Sequence, residues 1–245
     1  MKKILKMAVV QSVSGETGSL FVVSTPIGNL GDVTYRAIEI LNKVSLIAAE
    51  DTRRTKILLN RYQIHTPLSS YNSFNKIKKS RGFVERLKKG NDIALVSDAG
   101  TPGISDPYYH LVNAAVDEGI SIYSIPGASA LLAALTVSSL PMDRFIFEGF
   151  LPRKKGRTTM LENLSNEQRT VVIFESPNRI EKTLKDLYQF FGNRKVAISR
   201  ELTKMYEEVI RGNLEELSSL TRTWKGEITV VIAGADKKRG RDKCP

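Results

Sequence analysis

Short apolar runs alternate with helix-period segments along most of the chain, and this rhythm constrains the fold more than any other feature of the sequence. In the first half, the apolar runs lie at residues 21–23, 46–49, 93–96 and 120–123. Three- and four-residue steps between the apolar residues Ala37, Ile40, Leu41 and Val44 predict a helix that Asp32 caps, and further helices are predicted at 52–62 and 107–118. Strands that alternate with helices predict an α/β fold with a mainly parallel sheet.

The second half of the chain repeats this alternation. Strands are predicted at 144–150, 170–174, 196–198 and 228–232, and helices at 177–190 and 214–220. A further short strand at 208–211 would make this second sheet partly antiparallel. We therefore predict two α/β domains, the first Rossmann-like at 19–126 and the second at 127–236, with an N-terminal extension at 1–18 and a basic tail at 237–245.

Charge and cysteine content narrow the classes of function. Lys and Arg number 37 against 26 Asp and Glu, a net charge of +11, which favours polyanionic partners. The single cysteine, Cys244, excludes an internal disulfide and a cysteine-based zinc site, and two histidines argue against a multi-histidine metal centre. Lys6 interrupts the apolar stretch near the start of the chain, and no segment has the roughly 18 apolar residues of a membrane helix. We expect a cytoplasmic protein with no metal ion and no membrane contact.

The loops that follow the predicted strands are the candidate ligand sites, because open α/β sheets bind ligands beyond the carboxyl ends of their strands. The loop at 97–107 consists almost wholly of small, acidic and proline residues. Asp98 has no evident capping role there, so it either accepts hydrogen bonds from a ligand or ties down loop amides. The loop at 24–32 departs from the G-x-G-x-x-G fingerprint and is either a ligand loop or an ordinary turn.

Six motifs occur in one order along the chain: STPIGNL at 24–30, EDTR at 50–53, SDAGTPGISDP at 97–107, PGAS at 126–129, ESP at 175–177 and RELTK at 200–204. Together they resemble the tetrapyrrole-methylase-like superfamily, and more narrowly its bacterial small-subunit ribosomal RNA (cytidine-2′-O)-methyltransferases. The resemblance implies two α/β domains with S-adenosylmethionine in the cleft between them, usually in a homodimer. It also implies methyl transfer to the ribose 2′-hydroxyl of a cytidine in small-subunit (16S) ribosomal RNA, either free or in the 30S subunit.

By position, the resemblance assigns a set of cofactor-binding residues: Ile27, Gly28, Asp98, Thr101, Ser129, Ala130, Phe174 and Thr229. The chain departs from the family in three respects. Relatives carry a histidine- and glutamate-rich motif where this chain has YNSFNK at 71–76, and they carry histidine where Asn178 stands. Many relatives also continue into a helical region after the last strand. None of these departures falls in the assigned cofactor loops.

A ribose hydroxyl is a poor nucleophile at neutral pH, so a general base or a neighbouring cation would help its attack. The candidates are Glu175, Glu201 and Lys204, of which Lys204 would need a lowered pKa to accept a proton. The charged clusters that hold these residues are alternatively ordinary salt-bridge patches.

Three segments concentrate the basic residues. Residues 76–89 hold seven Lys and Arg against one acid, residues 153–157 hold four with no acid, and residues 236–243 hold five against two. Such concentration favours a phosphate-binding surface over evenly solvated lysines. The predicted RNA-binding residues are Arg53, Lys78, Lys79, Arg153, Lys154 and Arg200.

Two other functions stay open at this point. A methylase of a tetrapyrrole or another small acidic molecule would explain the cofactor loops but not three separated basic segments. A non-catalytic RNA-binding module would explain the charge but leave the Asp98 loop without a purpose. Binding of S-adenosylmethionine separates the module from both enzymes, and the methyl acceptor separates the two enzymes.

Overall fold

The computed structural model describes residues 17–104 and 108–236, and the chain within these ranges forms two compact units. Unit 1 comprises 17–26, 30–104 and 108–128, whereas unit 2 comprises 27–29 and 129–236. The short segment 27–29 therefore belongs with the second half of the chain. The predicted basic tail, nearly all of the predicted N-terminal extension and the predicted helix start at Pro107 lie outside the described residues.

Unit 1 contains a five-stranded sheet in the order β3-β2-β4-β1-β5. All of its described pairings are parallel, which confirms the predicted parallel sheet. Its strands are β1 (Leu20–Val23), β2 (Leu46–Ala49), β3 (Leu68–Ser70), β4 (Ile93–Val96) and β5 (Ile122–Ile125). Its α-helices are α1 (Tyr35–Lys43), α2 (Thr52–Arg61), α3 (Lys76–Lys88) and α4 (Tyr109–Asp117).

Both faces of this sheet are buried, as is usual for parallel strands. Phe21 packs with residues of α1 and α2 on one face, whereas Leu20 packs with residues of α3 and α4 on the other. The four residues of β1 are all buried, because adjacent side chains of a strand point to opposite faces and both faces here are covered by helices.

The strand order creates a switch point in unit 1. Neighbouring strands β1 and β4 send the chain in opposite directions, since β1 leads to β2 on one side and β4 leads to β5 on the other. Ligands of open α/β sheets bind beyond the carboxyl ends of the strands at such a point, on the loops that follow the two strands. The loops that begin at Ser24 and Ser97 are those loops.

Unit 2 contains a mixed five-stranded sheet in the order β6-β7-β10-β8-β9. Strands β6 and β7 pair in parallel, and the other pairings are antiparallel, so the prediction of a partly antiparallel sheet is confirmed. Its elements are α5 (Ala130–Val137), β6 (Phe145–Phe150), α6 (Arg157–Leu164), β7 (Thr170–Glu175), α7 (Ile180–Phe191), β8 (Lys195–Arg200), β9 (Glu208–Asn213), α8 (Leu214–Ser218) and β10 (Ile228–Ile232). Helices α6, α7 and α8 bury one face of the sheet in a single apolar core.

The structure corrects two local predictions. Asp32 lies in a 3-10 turn (Leu30–Asp32), and Thr34 caps α1 instead: its backbone is extended and its Oγ1 accepts a hydrogen bond from the Ala37 N–H at 3.1 Å. The fifth strand begins at Ile122 rather than at residue 120, and Ile120 packs in the core just before it. Three elements, β3, α3 and α6, were not predicted at all, whereas α5 begins where the PGAS motif predicts a turn from strand into helix.

Candidate active site

Three loops of unit 1 are tied together at the carboxyl ends of its strands. Thr25 and Gly100 exchange backbone hydrogen bonds of 2.9 and 3.0 Å, which joins the loops after β1 and β4. The Thr101 hydroxyl lies 2.9 Å from the Ser24 hydroxyl and donates to the Ala128 carbonyl at 3.3 Å. Gly100 adopts a φ of +79°, which favours glycine. The switch point therefore has a fixed framework, and Thr101, a predicted cofactor residue, is its central tie.

Asp98 has a structural partner that the sequence did not reveal. Its Oδ1 accepts a hydrogen bond from the Asp51 backbone N–H at 2.8 Å, and its Oδ2 lies 3.4 Å from Arg54 NH1. The expectation that this carboxylate lacks a structural role was wrong, and the alternative that it ties down a loop amide is correct. The Asp98 side chain is still 24% exposed, so its oxygens also remain accessible to a ligand.

Asp51 and Arg53 form a separate ion pair at the start of α2. Asp51 caps the helix by accepting the Arg53 N–H, and it receives Arg53 Nε at 3.0 Å and NH2 at 2.7 Å. These hydrogen bonds from Arg53 lower the pKa of Asp51 to about 2, and the pKa of Arg53 is raised in return. Arg53 is exposed, as an RNA-binding residue must be, but two of its three guanidinium nitrogens are already engaged.

Glu175, the first candidate for a general base, is enclosed at the end of β7. Its side chain is 0% exposed. The carboxylate accepts the Thr183 hydroxyl at 2.6 Å and the Ser176 N–H at 2.8 Å, and it pairs with Arg179 Nε at 3.3 Å. With donors on both oxygens and no exposure, Glu175 is placed to fix the start of α7 rather than to take a proton from a substrate.

Glu201 and Lys204, the other two candidates, lie together beyond β8. Lys204 Nζ donates to Glu201 at 2.8 Å and to Glu227 at 3.1 Å. Burial alone would lower the pKa of Lys204, but its hydrogen bonds and charge interactions with the two glutamates raise it overall. The hydrogen bond from Lys204 in turn lowers the pKa of Glu201. Lys204 is thus a cation at neutral pH. A general base would need a lowered pKa, whereas the pKa of Lys204 is raised.

The turn that carries these two residues also holds the segment 27–29. Glu201 and Thr203 have φ values of 53° and 67°, which non-glycine residues rarely adopt. The Thr203 hydroxyl accepts the Asn29 N–H at 3.1 Å. A Cβ on Gly28 would lie 2.5 Å from Lys204 Cγ, so only glycine fits beside this lysine. Gly28, a predicted cofactor residue, is therefore in contact with the predicted catalytic lysine.

A row of side chains crosses the second sheet at Thr229. Phe174 and Ser199 are its partners on the two neighbouring strands, and the Phe174 ring lies 4.8 Å from that of Phe147. The Ser199 hydroxyl is fully buried and has no hydrogen-bond partner among the described residues. Sequence reasoning assigned Phe174 and Thr229 but missed Ser199, whose signal was a hydroxyl residue inside an apolar strand.

The other predicted residues fall at several places. In unit 2, Ile27 is buried, and Ser129 and Ala130 are half-buried at the start of α5. Lys78, Arg153 and Lys154 are exposed, whereas Lys79 Nζ donates to Ser69 in its own unit at 3.1 Å.

Arg200 belongs to an ion-pair network instead of a free cationic surface. Its Nε lies 3.1 Å from Glu208, which also receives both terminal nitrogens of Arg222 at 2.9 Å. The hydrogen bond from Arg222, with a smaller one from Arg200, lowers the pKa of Glu208. This arrangement favours the salt-bridge alternative for Arg200.

Residues 17–104 and 108–236 contain neither a membrane-spanning helix nor a cluster of metal-ligating side chains. No helix in these ranges has the length and apolar character needed to cross a bilayer. The same residues contain no cluster of three or more His, Cys, Asp or Glu side chains that could hold a metal ion.

The fold and the strand-end loops are those of the tetrapyrrole methylase class. Residues 19–218 match the family of Tetrapyrrole (Corrin/Porphyrin) Methylases. A conserved hypothetical protein of Aeropyrum pernix K1 superposes with a TM-score of 0.70 at 17% identity, covering 89% of this chain and 85% of that one. A uroporphyrin-III C-methyl transferase from Thermus thermophilus complexed with S-adenosyl homocysteine has a TM-score of 0.60 at 15% identity. The match covers 87% of this chain and 97% of that one.

Sequence relatives narrow the class further. The ribosomal RNA small subunit methyltransferase I of Thermotoga maritima is 49% identical over 89% of this chain and 100% of its own length. The protein of the same name from Halalkalibacterium halodurans is 50% identical over 91% of this chain and 78% of its own length. The chain therefore belongs to the tetrapyrrole methylase family and, within it, to the group of ribosomal RNA small subunit methyltransferases I.

Proposed function

We propose that this chain transfers the methyl group of S-adenosylmethionine to the ribose 2′-hydroxyl of a cytidine in small-subunit ribosomal RNA. The single observation that carries the RNA half of this proposal is the high identity, over nearly the whole chain, to relatives named for that substrate. We further propose that it acts in the cytoplasm, on free RNA or the 30S subunit, as a homodimer.

The cofactor residues of the proposal are those that the resemblance assigns. Asp98 offers carboxylate oxygens to ribose hydroxyls or an amino group, because its side chain keeps some exposure after bonding to Asp51. The unpartnered, buried Ser199 hydroxyl next to Thr229 supports a ligand-facing role for that row of the second sheet, since a buried hydroxyl without a partner is costly. The full set is Ile27, Gly28, Asp98, Thr101, Ser129, Ala130, Phe174 and Thr229.

When bound, S-adenosylmethionine supplies a sulfonium methyl group that an oxygen nucleophile can attack in line. Correct alignment of the two reactants contributes on the order of 7–11 kcal/mol to such a reaction. In our proposal the residues of this chain hold the ribose hydroxyl in place, and Lys204, charged at neutral pH, stabilises negative charge on the attacking oxygen. The lowered pKa of Glu201 and the enclosure of Glu175 make both poor proton acceptors, so in this proposal the hydroxyl proton passes to solvent water as the methyl group is transferred.

The proposal is tested by labelled methyl transfer from S-adenosylmethionine to three acceptors: small ribosomal subunits, protein-free ribosomal RNA and free tetrapyrrole precursors. We expect label on the RNA of the first or second acceptor, at a 2′-O-methylcytidine, and none on the third. Label on the tetrapyrrole alone would overturn the proposal. Calorimetric titration with S-adenosylmethionine completes the test, because a chain that binds no cofactor is a binding module rather than an enzyme.

A further inference from the structure

Unit 2 contains a cavity of about 340 Å³ whose lining is strongly basic. It lies against the start of α7, and its walls include Arg153, Arg157, Ser176, Asn178, Arg179 and Lys182. The lining has no acidic residue. None of its lining residues belongs to the Lys204 turn or to the row at Thr229, so the proposed chemistry does not account for it.

Two of the four cations are fixed in the wall by acidic partners behind it. Arg157, only 7% exposed, donates from Nε to Asp186 at 2.8 Å and from NH2 to the Thr183 hydroxyl at 2.9 Å. The same hydroxyl donates to Glu175, whose carboxylate pairs with Arg179 at 3.3 Å. The wall is therefore a rigid hydrogen-bonded network with little net charge of its own.

The other two cations carry the net charge of the cavity. Arg153 and Lys182 are exposed, and within the described part of the chain neither forms an ion pair or a side-chain hydrogen bond. The lining thus has about two uncompensated positive charges and, at Ser176 and Asn178, uncharged polar groups that can donate hydrogen bonds. Such a site fits a single anionic group with several acceptor oxygens.

We propose that this cavity binds one phosphodiester group of the RNA substrate, with Arg153 and Lys182 as its charge partners. The inference rests on the proposed function for the identity of the ligand. The chain next to the cavity favours a polymer over a free phosphate ion, because Lys154 and Lys155 follow Arg153 and are both exposed. A line of cations beyond one pocket suits successive phosphates of a strand.

The test compares Lys182→Gln with Lys185→Gln, which removes the same charge from an exposed position of the same helix outside the cavity. Affinity for protein-free ribosomal RNA is measured over a range of chloride concentrations. Each lost phosphate contact with a single strand should reduce the slope of log affinity against log salt by about 0.7. We expect this change for Arg153→Gln with Lys182→Gln, which together remove both charge partners of the one phosphate, a part of this change for Lys182→Gln alone, and none for Lys185→Gln. Affinity for S-adenosylmethionine and the unfolding midpoint should not change in any of them.

Equal slopes for Lys182→Gln and Lys185→Gln would overturn the inference. Free phosphate ion would fit the same cavity, so the unfolding midpoint is also measured in inorganic phosphate and in chloride at matched ionic strength. If phosphate raises the unfolding midpoint of the unaltered protein but not of Lys182→Gln, while the RNA slopes stay equal, the ligand is free phosphate and the RNA assignment fails. The expected change of the salt slope for Lys182→Gln, found together with no methyl transfer to RNA by the unaltered protein, would support the phosphate site. It would overturn the proposed function instead.

Discussion

Glu175 is the last residue of β7, and Glu201 directly follows β8, the next strand along the chain in the same sheet. Both acidic residues pair with a cation, yet their surroundings differ in kind. Glu175 has no exposed side-chain surface and is held by Thr183, Ser176 and Arg179. Glu201 is 18% exposed and lies in a turn with positive φ, beside a lysine that touches Gly28. One carboxylate completes a buried network, and the other belongs to a partly open and strained turn.

The difference shows that charged residues in similar motifs can have different roles, one in the stability of the fold and another at the reaction site. A buried carboxylate with donors on both oxygens stabilises the folded state, and its loss leaves those donors without partners. Backbone strain persists only where the surrounding structure maintains it, and it concentrates at functional sites. We therefore expect changes at Glu175 to reduce stability and changes at the Lys204 turn to reduce turnover.

The largest effect tests the enclosed carboxylate. Glu175→Ala should lower the free energy of unfolding by about 3 kcal/mol, because Thr183, Ser176 and Arg179 lose their common acceptor. The control is Glu162→Ala on the exposed side of α6, which should change the free energy of unfolding by less than about 0.5 kcal/mol. Denaturant unfolding measures both. Normal stability with turnover reduced about 10²–10⁴-fold would make Glu175 a general base and reverse the comparison.

Next in size is the Lys204 turn. Lys204→Gln should lower kcat about 10²–10³-fold with little loss of S-adenosylmethionine affinity, because it removes one preorganised charge from the transition state. Lys225→Gln, an exposed lysine of the same unit, is the matched control. Since the pKa of Lys204 is raised above its ordinary 10.5, turnover should stay flat between about pH 7 and pH 9. A rate that rises with pH over this range would indicate that Lys204 acts as a base.

Asp98 extends the comparison to unit 1, where one carboxylate combines both roles. Asp98→Ala should weaken S-adenosylmethionine binding about 10- to 150-fold and also lower the free energy of unfolding by about 1–2 kcal/mol, since the Asp51 N–H loses its acceptor. Asp98→Asn keeps an oxygen for that N–H and should retain most of the stability. Calorimetry and denaturant unfolding separate the two effects. If both variants bind the cofactor as the unaltered protein does, Asp98 is only a loop tie.

Much of this arrangement could be predicted from the sequence because the signal was local. Continuous apolar runs identified β1, β2 and β4, and the motif loops follow strands as expected. The missed strand β3 lacks such a signal, because it consists of only three half-buried residues, Leu-Ser-Ser.

The partners of the site residues were beyond the reach of sequence because they are distant along the chain. Asp98 bonds to a residue 47 positions away, and Thr203 bonds to one 174 positions away. Thr34 and Asp32 are both acceptable caps by residue type, and only the extended backbone at Thr34 decides between them. Local chemistry thus predicted which loops matter, whereas tertiary contacts decide what each side chain does in them.

A smaller effect is expected on RNA binding when exposed cations are neutralised, and it should differ between unpaired cations and Lys79, which is already hydrogen-bonded. Replacing Lys78, Lys79, Arg153 and Lys154 together by Gln should flatten the salt dependence of RNA binding by about 0.7 for each lost single-strand contact. Within the set, Lys79→Gln should contribute least, because its ammonium group is bonded to Ser69. Affinity for S-adenosylmethionine should be unchanged. An unaltered slope in the fourfold variant would mean that these cations are merely solvated and that RNA binds elsewhere.

The smallest expected effect concerns Asp51, a half-buried acid whose pKa of about 2 lies below the ordinary 3.8. Because the folded-state value is the lower one, the ion pair with Arg53 stabilises the protein fully above about pH 4 and loses that effect as pH falls through 2. Asp51→Asn keeps the cap of α2, since Asn caps as well as Asp, but it cannot ionise. The stability difference between the unaltered protein and Asp51→Asn, measured by denaturant unfolding, should therefore shrink between pH 4 and pH 2. Asp117→Asn, at an exposed position whose side chain forms no hydrogen bond or ion pair among the described residues, is the control and should show a smaller change. A difference that is constant with pH would mean that water screens the Asp51–Arg53 pair completely, and that Arg53 is as free to bind a phosphate as an unpaired arginine.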